Sequence, residues 1–335
     1  TLQLETSGAL GGSDILTLAG GSTVKARASN VFNNSTRLWT QTGQNRIDIR
    51  GPQRAGSLTL AEDSVVAFTS PSSDGNDTLT LTSGAQDSVI EGQFEEPEAG
   101  GTVKINGHTA EVNTRQSIIT FSVGNNGHLI VNETDALPGT LSLNRGSKVT
   151  VNAQNGLNIQ NTNNNLRIPA NAEVIFNADH ALDLLSSNQT SSRIAVGDEA
   201  TLTFANTSKN QFLDDERRSN YYGVLAGEGD YELAGGQLDI GAGSTDPTNK
   251  FSGTFSVTGN STLQLSKSQA VSGNALTVSG GSTVDVQNGD NAFNDALDVT
   301  LNGTNDQLII DTFIGSTQRI DSLNAGDGST VQIKA

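Results

Sequence analysis

The stretch LTVSGGSTVDV, residues 276–286, alternates apolar and polar side chains, breaks at a small polar bend, and alternates again. Alternation with period 2 means extended strand with one face buried, and the Gly and Ser residues between the two runs supply a corner. Nearly the same letters open the chain, as LTLAGGSTVKA at 16–26. The pattern returns as LTLAEDSVVAF from Leu58, FSVGNNGHLIV from Phe121, LSLNRGSKVTV from Leu141, LRIPANAEVIF from Leu166, IAVGDEATLTF from Ile194 and FSVTGNSTLQL from Phe255, each with apolar residues at positions 1, 3, 9 and 11. LNAGDGSTVQI from Leu323 fits with a small third residue, and segments from Leu79 and Tyr231 fit with one residue more or fewer in the bend.

A unit that recurs along a chain signals a repeat array. Successive units from Phe121 begin 20, 25, 28, 37, 24, 21 and 47 residues apart. Two short strands meeting at a corner, repeated every 20 to 25 residues, predict an all-β fold: a right-handed parallel β-helix with side loops. Its turns stack at about 4.8 Å on an inward column of Leu, Val, Ile and Phe. Roughly 14 turns would make a rod of order 70 Å, and residues 1–335 read as a single β-helical domain.

Composition agrees with thin strands and corners. The chain has 37 Gly and only 4% aromatic residues; its 34% hydrophobic content and net charge of −17 suit disorder on their own, but disorder would not space apolar residues so regularly. No run is long and apolar enough to span a membrane as a helix. A chain of 335 residues with no Cys and no Met that starts at Thr1 reads as a fragment of a longer precursor, and freedom from Cys suits a polypeptide that crosses the periplasm unfolded.

Three stretches, 251–266 (FSGTFSVTGNSTLQLS), 275–286 (ALTVSGGSTVDV) and 223–240 (GVLAGEGDYELAGGQLDI), resemble the passenger domains of bacterial autotransporters, the AIDA and pertactin type. The first is similar to the F-x-G-x-[FL]-x-V-x-G-x-[ST]-L-x-[LV] repeat of that family. The resemblance implies a β-helical passenger displayed on the bacterial cell surface by type V secretion, anchored through an outer-membrane barrel outside this chain. It implies an adhesin rather than an enzyme, with virulence and biofilm as its settings.

A scaffold does not name its ligand, so the interruptions of the repeat are the places to look. Residues 27–54, 91–101 and 206–222 are expected as protruding loops. Residues 25–54 hold Lys25, Arg27, Arg37, Arg46, Arg50 and Arg54 against one acid, Asp48, and the only tryptophan, Trp39. Arg forks pair bidentately with anionic oxygens, which suits a sulfated or carboxylated glycan; the same groups equally suit a solvated face that balances neighbouring acids. Residues 206–222 bring Phe212, Tyr221 and Tyr222 together with Arg217 and Arg218, a mixture common at interaction hot spots, although a loop capping the helix side would look the same.

Residues 74–98 carry Asp74, Asp77, Asp87, Glu91, Glu95, Glu96 and Glu98 without a base. Calcium is conceivable there, but no EF-hand or glycine-rich calcium repeat is present, and no metal or cofactor is expected. Asn161 to Asn165 suggest a corner ladder of amides. No nucleophile elbow is found, thiol chemistry is excluded by composition, and His108, His128 and His180 lack ligand spacing. Carboxylates such as Asp179 with Asp183, or those at 214–216, keep a polysaccharide lyase or hydrolase open. The net negative charge disfavours nucleic acid. The function expected is therefore adhesion to host glycans, glycosaminoglycans among them, or to extracellular-matrix protein, with self-association into aggregates and biofilm as the alternative.

Overall fold

A computed structural model describes residues 1–10, 15–69, 77–82, 86–95, 101–117, 120–137, 139–154, 156–158, 165–178, 182–183, 193–210, 224–240, 249–266, 268–287, 291–311 and 317–334. Among them the regular elements are strands, and the pairings are parallel, stacked as a β-solenoid. No helix of the described residues is long and apolar enough to cross a membrane. The chain divides into two compact units, residues 1–160 and 161–335.

The first unit is built from three ladders. Sheet I joins Leu2–Leu4, Thr23–Ala26, Arg46–Ile49, Val65–Phe68 and Gln93–Glu95. Sheet II joins Ile15–Leu18, Arg37–Thr40, Ser57–Leu60, Ser88–Ile90, Thr109–Val112, His128–Val131 and Lys148–Val151. Sheet III joins Pro52–Ala55, Thr78–Thr82, Thr102–Asn106, Thr120–Val123 and Leu141–Leu143. From Ser57 to Val112 the chain visits sheets II, I and III in rotation, so each turn of the coil lays one strand on each ladder. Alternate residues then point inward: Val24, Ile47, Val66 and Phe94 form one buried column of sheet I. Phe68, Phe94 and Phe121 fill the interior, with ring centroids 6.2 and 6.0 Å apart, in the offset and edge-on geometries that aromatic quadrupoles prefer.

The second unit follows the same plan. One sheet carries Asn165–Ile168, Arg193–Val196, Val224–Gly227 and Lys250–Phe251. The long strand Asp230–Ile240 serves two ladders, pairing with Thr254–Thr258 through its first half and Thr262–Leu265 through its second. Ala275–Val278 and Thr283–Gln287 extend those two ladders. Leu276, Val278, Val284 and Val286 are fully buried, as their spacing in the decisive stretch requires.

The corner between them shows why Gly-Gly-Ser stands there. Gly280 and Gly281 have φ of 69° and 76°, the left-handed region that costs side chains dearly, and a Cβ on Gly280 would come 3.0 Å from the backbone nitrogen of Gly259 in the previous turn. Buried Ser282 donates to the Ser279 carbonyl at 2.7 Å and accepts the Ser261 N–H at 3.1 Å. From the next turn, Asp306 accepts the N–H groups of Gly281 and Ser282 at 2.8 and 3.2 Å. At a corresponding corner of the first unit, buried Asn45 accepts the Ser22 N–H at 3.0 Å and donates to the Gln41 carbonyl at 2.7 Å.

Residues 27–54, expected as a protruding loop, are instead part of the coil: Arg37–Thr40, Arg46–Ile49 and Pro52–Ala55 are strands of sheets II, I and III. The repeat is obscured because buried positions there hold polar residues, Thr40, Asn45 and Gln53. Among the described residues no strand precedes Pro52–Ala55 in sheet III; besides the Asn30 N–H on the Pro52 carbonyl at 2.8 Å, the Gln53 amide bonds the preceding turn, accepting the Val31 N–H at 2.9 Å and donating to the Ala28 carbonyl at 2.7 Å. The interval 91–101 likewise contains the strand Gln93–Glu95, and 206–210 belong to the strand Thr201–Asn210; residues 96–100 and 211–222 lie outside the described residues.

Candidate ligand-binding faces of the first unit

The outer face of sheet I is a grid of side chains fixed by strand register. One row runs Thr23, Arg46, Val65, Gln93, and the next Gln3, Lys25, Asp48, Ala67, Glu95. The Arg27 N–H bonds the Leu4 carbonyl at 2.9 Å and the Arg50 N–H bonds the Ala26 carbonyl at 3.0 Å, which continues the register by one residue and sets Arg27 beside Arg50. Four of the six basic residues of 25–54 therefore share one face, although up to 25 residues separate them in sequence.

Their charges are not equivalent. Arg46 Nε lies 2.6 Å from Asp48 Oδ1 and its Nη1 lies 3.1 Å from Glu95 Oε2, two rungs away. Burial is the largest single influence on Arg46 and works against its charge, but hydrogen bonds and attraction from Asp48 and Glu95 together outweigh it and hold its pKa above the ordinary guanidinium value. Arg46 is a strut between turns. Lys25, Arg27 and Arg50 have no carboxylate within ion-pair distance among the described residues, and the Nε of Arg50 is buried without a hydrogen-bond partner.

The remaining members of the basic stretch are on other faces. Trp39 lies on sheet II between Thr17 and Thr59, and the residue is 46% exposed. Arg37, two residues earlier, donates to Gln86 Oε1 at 2.9 Å, and its neighbour on the preceding rung is Ile15, also exposed. Arg54 is exposed on sheet III, where Thr80 and then Lys104 occupy the next two rungs. The structure thus sets Arg27, Arg46 and Arg50 on one face, places Arg37 and Trp39 two residues apart on one strand of sheet II, and sets Arg54 apart.

Phe212, Arg217, Arg218, Tyr221 and Tyr222 lie outside the described residues, as do Asp179, His180, 161–164 and 214–216. An amide ladder of the kind expected near Asn165 is found elsewhere: Asn152 donates to Asn132 at 2.7 Å and Asn132 to Asn113 at 2.8 Å, along the corner that follows sheet II. Of the acidic stretch, Asp77 is buried and accepts the Gly51 N–H at 2.6 Å, while Glu95 is committed to Arg46. No cluster of three metal-ligating side chains occurs among the described residues. His108 is buried against Ser88, with Oγ and Nε2 2.7 Å apart.

One feature of the second unit escaped sequence reasoning. A cleft of about 600 Å3 is lined by Arg167, Asp198 and Glu228 with Pro169, Ala195 and Gly197. Its signal was weak: the acids stand in the corners VGDEA and GEGD, and only the pairing of Arg193–Val196 with Val224–Gly227 shows that these corners are adjacent. Compared with models of known protein families and with curated proteins, the chain matches none.

Proposed function

We propose that this chain is an adhesive module of a bacterial surface protein, a passenger of the autotransporter type, which grips anionic glycans or matrix proteins through the outer faces of its first unit. The observation that carries this reading is the grouping of Lys25, Arg27, Arg46 and Arg50 on one outer face of sheet I in a chain of net charge −17. The fold supports it, because parallel ladders hold side chains at fixed spacing over several turns and so match a polymer better than a small molecule. Binding needs no chemical step; many copies on one cell supply strength through avidity.

Charge segregation favours a second reading, contact between copies of the chain. Residues 1–54 hold six basic residues against Glu5, Asp14 and Asp48, although acids outnumber bases in the whole chain by 17, so the basic face of one copy complements the acidic surface of another.

A glycan and matrix-protein array probed with this chain tests the first reading. Retention on sulfated or uronic glycans, weakening as salt is raised and reduced in Arg27→Ala and Arg50→Ala more than in Arg54→Ala, is the expected result. Equal retention on neutral glycans would overturn it, and clumping of displaying cells with no host material present would favour self-association.

A further inference from the structure

We propose that Arg27 and Arg50, with Lys25 beside them, form an oxyanion site that takes one sulfate or carboxylate group; the adhesive reading enters only in naming a glycan as the source of that group. The register sets the two arginines on consecutive rungs, about 4.8 Å apart. Like charges directly opposite each other oppose strand pairing, and Arg27 and Arg50 have no ion-pair partner among the described residues to relieve this.

The second observation is independent of charge. Arg50 Nε is buried without a hydrogen-bond partner, and such a donor loses its water without compensation. An anion bridging the two guanidinium groups would offset the first penalty where they stand, and the second by drawing Arg50 Nε, which has no accessible surface as it stands, outward to the ligand. Two planar forks on adjacent strands match the several acceptor oxygens of a sulfate ester or carboxylate, and Lys25, two residues from Arg27 on the same outer face, adds a mobile ammonium.

The neighbouring groups leave this place open. Asp48 is occupied by Arg46 at 2.6 Å, and Arg46 also reaches Glu95. Glu5, which precedes Arg27 in the register, is exposed and forms no ion pair with it. Arg46, the residue most firmly held on this face, is thus not part of the site; Arg50, four residues further on and beyond Asp48 on the same face, is its centre.

Inorganic sulfate and acetate serve as probes, with the thermal midpoint read against chloride at fixed ionic strength. Sulfate should raise the midpoint saturably by roughly 2–4 °C. Arg50→Gln and Arg27→Gln should each abolish that rise, while Arg46→Gln keeps it. In chloride alone Arg50→Gln should melt no lower than the parent, since it removes an opposed charge and an orphaned donor. A larger response to sulfate than to acetate assigns a sulfate ester, and the reverse assigns a uronate. Equal rises in the parent and both site variants would show only the general effect of sulfate on burial and would overturn the proposal, as would no rise in any of them. A rise confined to chains with Arg27 and Arg50 intact, with no anionic glycan retained, would keep the site and remove the adhesive reading.

Discussion

At the scale of single residues, the buried polar groups of this solenoid carry specific costs, and His108 shows how one becomes a pH dependence. Ser88 Oγ accepts the Leu58 N–H at 2.9 Å and shares a hydrogen bond with His108 Nε2, 2.7 Å away, which holds the imidazole in a buried place. Burial lowers the His108 pKa from its ordinary 6.5, against a smaller opposing pull from Asp87. The unfolded chain therefore binds this proton more readily than the folded one, and stability is full above pH 6.5 and falls as pH drops from there towards the lowered folded value. Urea midpoints measured between neutral and mildly acidic pH should decline accordingly. His108→Gln, which keeps an acceptor but cannot take up the proton, should flatten the decline.

At the scale of the element, the unit of stability is the corner rather than the strand. The Ser261, Ser282 and Asp306 side chains link four successive turns: Ser261 receives the Gly235 N–H at 2.7 Å, Ser282 receives that of Ser261, and Asp306 receives those of Gly281, Ser282 and Gly303. Asp306→Ala would leave three N–H groups without their acceptor, the buried one of Ser282 and the part-buried ones of Gly281 and Gly303, at about 1–3 kcal/mol for each that water does not reach. A loss of about 1–3 kcal/mol or more is expected in urea unfolding, against a smaller loss for Asp306→Asn, which retains one acceptor oxygen. The two-strand corner was legible in the sequence because Leu276, Val278, Val284 and Val286 all obey the alternation. Residues 37–55 were not, because buried Thr40, Asn45 and Gln53 bond backbone or neighbouring turns instead of filling space. Composition pointed to the basic site but not to its membership. Arg27 and Arg50 are neighbours only through the register of sheet I, whereas Arg50 and Arg54, four residues apart, lie on different sheets.

At the scale of the whole molecule, local attraction and overall repulsion compete for any anionic partner. A net charge of −17 repels a polyanion at distances up to the Debye length, about 8 Å at physiological ionic strength, while Arg27 and Arg50 attract it at contact. The two respond differently to pH. Between pH 7 and the isoelectric point near 4.4 the net negative charge shrinks towards zero, so the repulsion fades; the guanidinium groups stay charged throughout. Binding of a sulfated glycan, whose own charge does not change in this range, should therefore tighten as pH falls from 7 to about 5. Elution of the chain from an immobilised sulfated glycan at constant ionic strength gives the measurement, with a neutral glycan as control. Later elution at the lower pH, lost in Arg27→Gln and Arg50→Gln, is the expected outcome. Earlier elution at a pH where the chain is still folded would mean that carboxylates such as Glu5 or Glu95 take part in binding, and that the basic face of sheet I is not what holds the glycan.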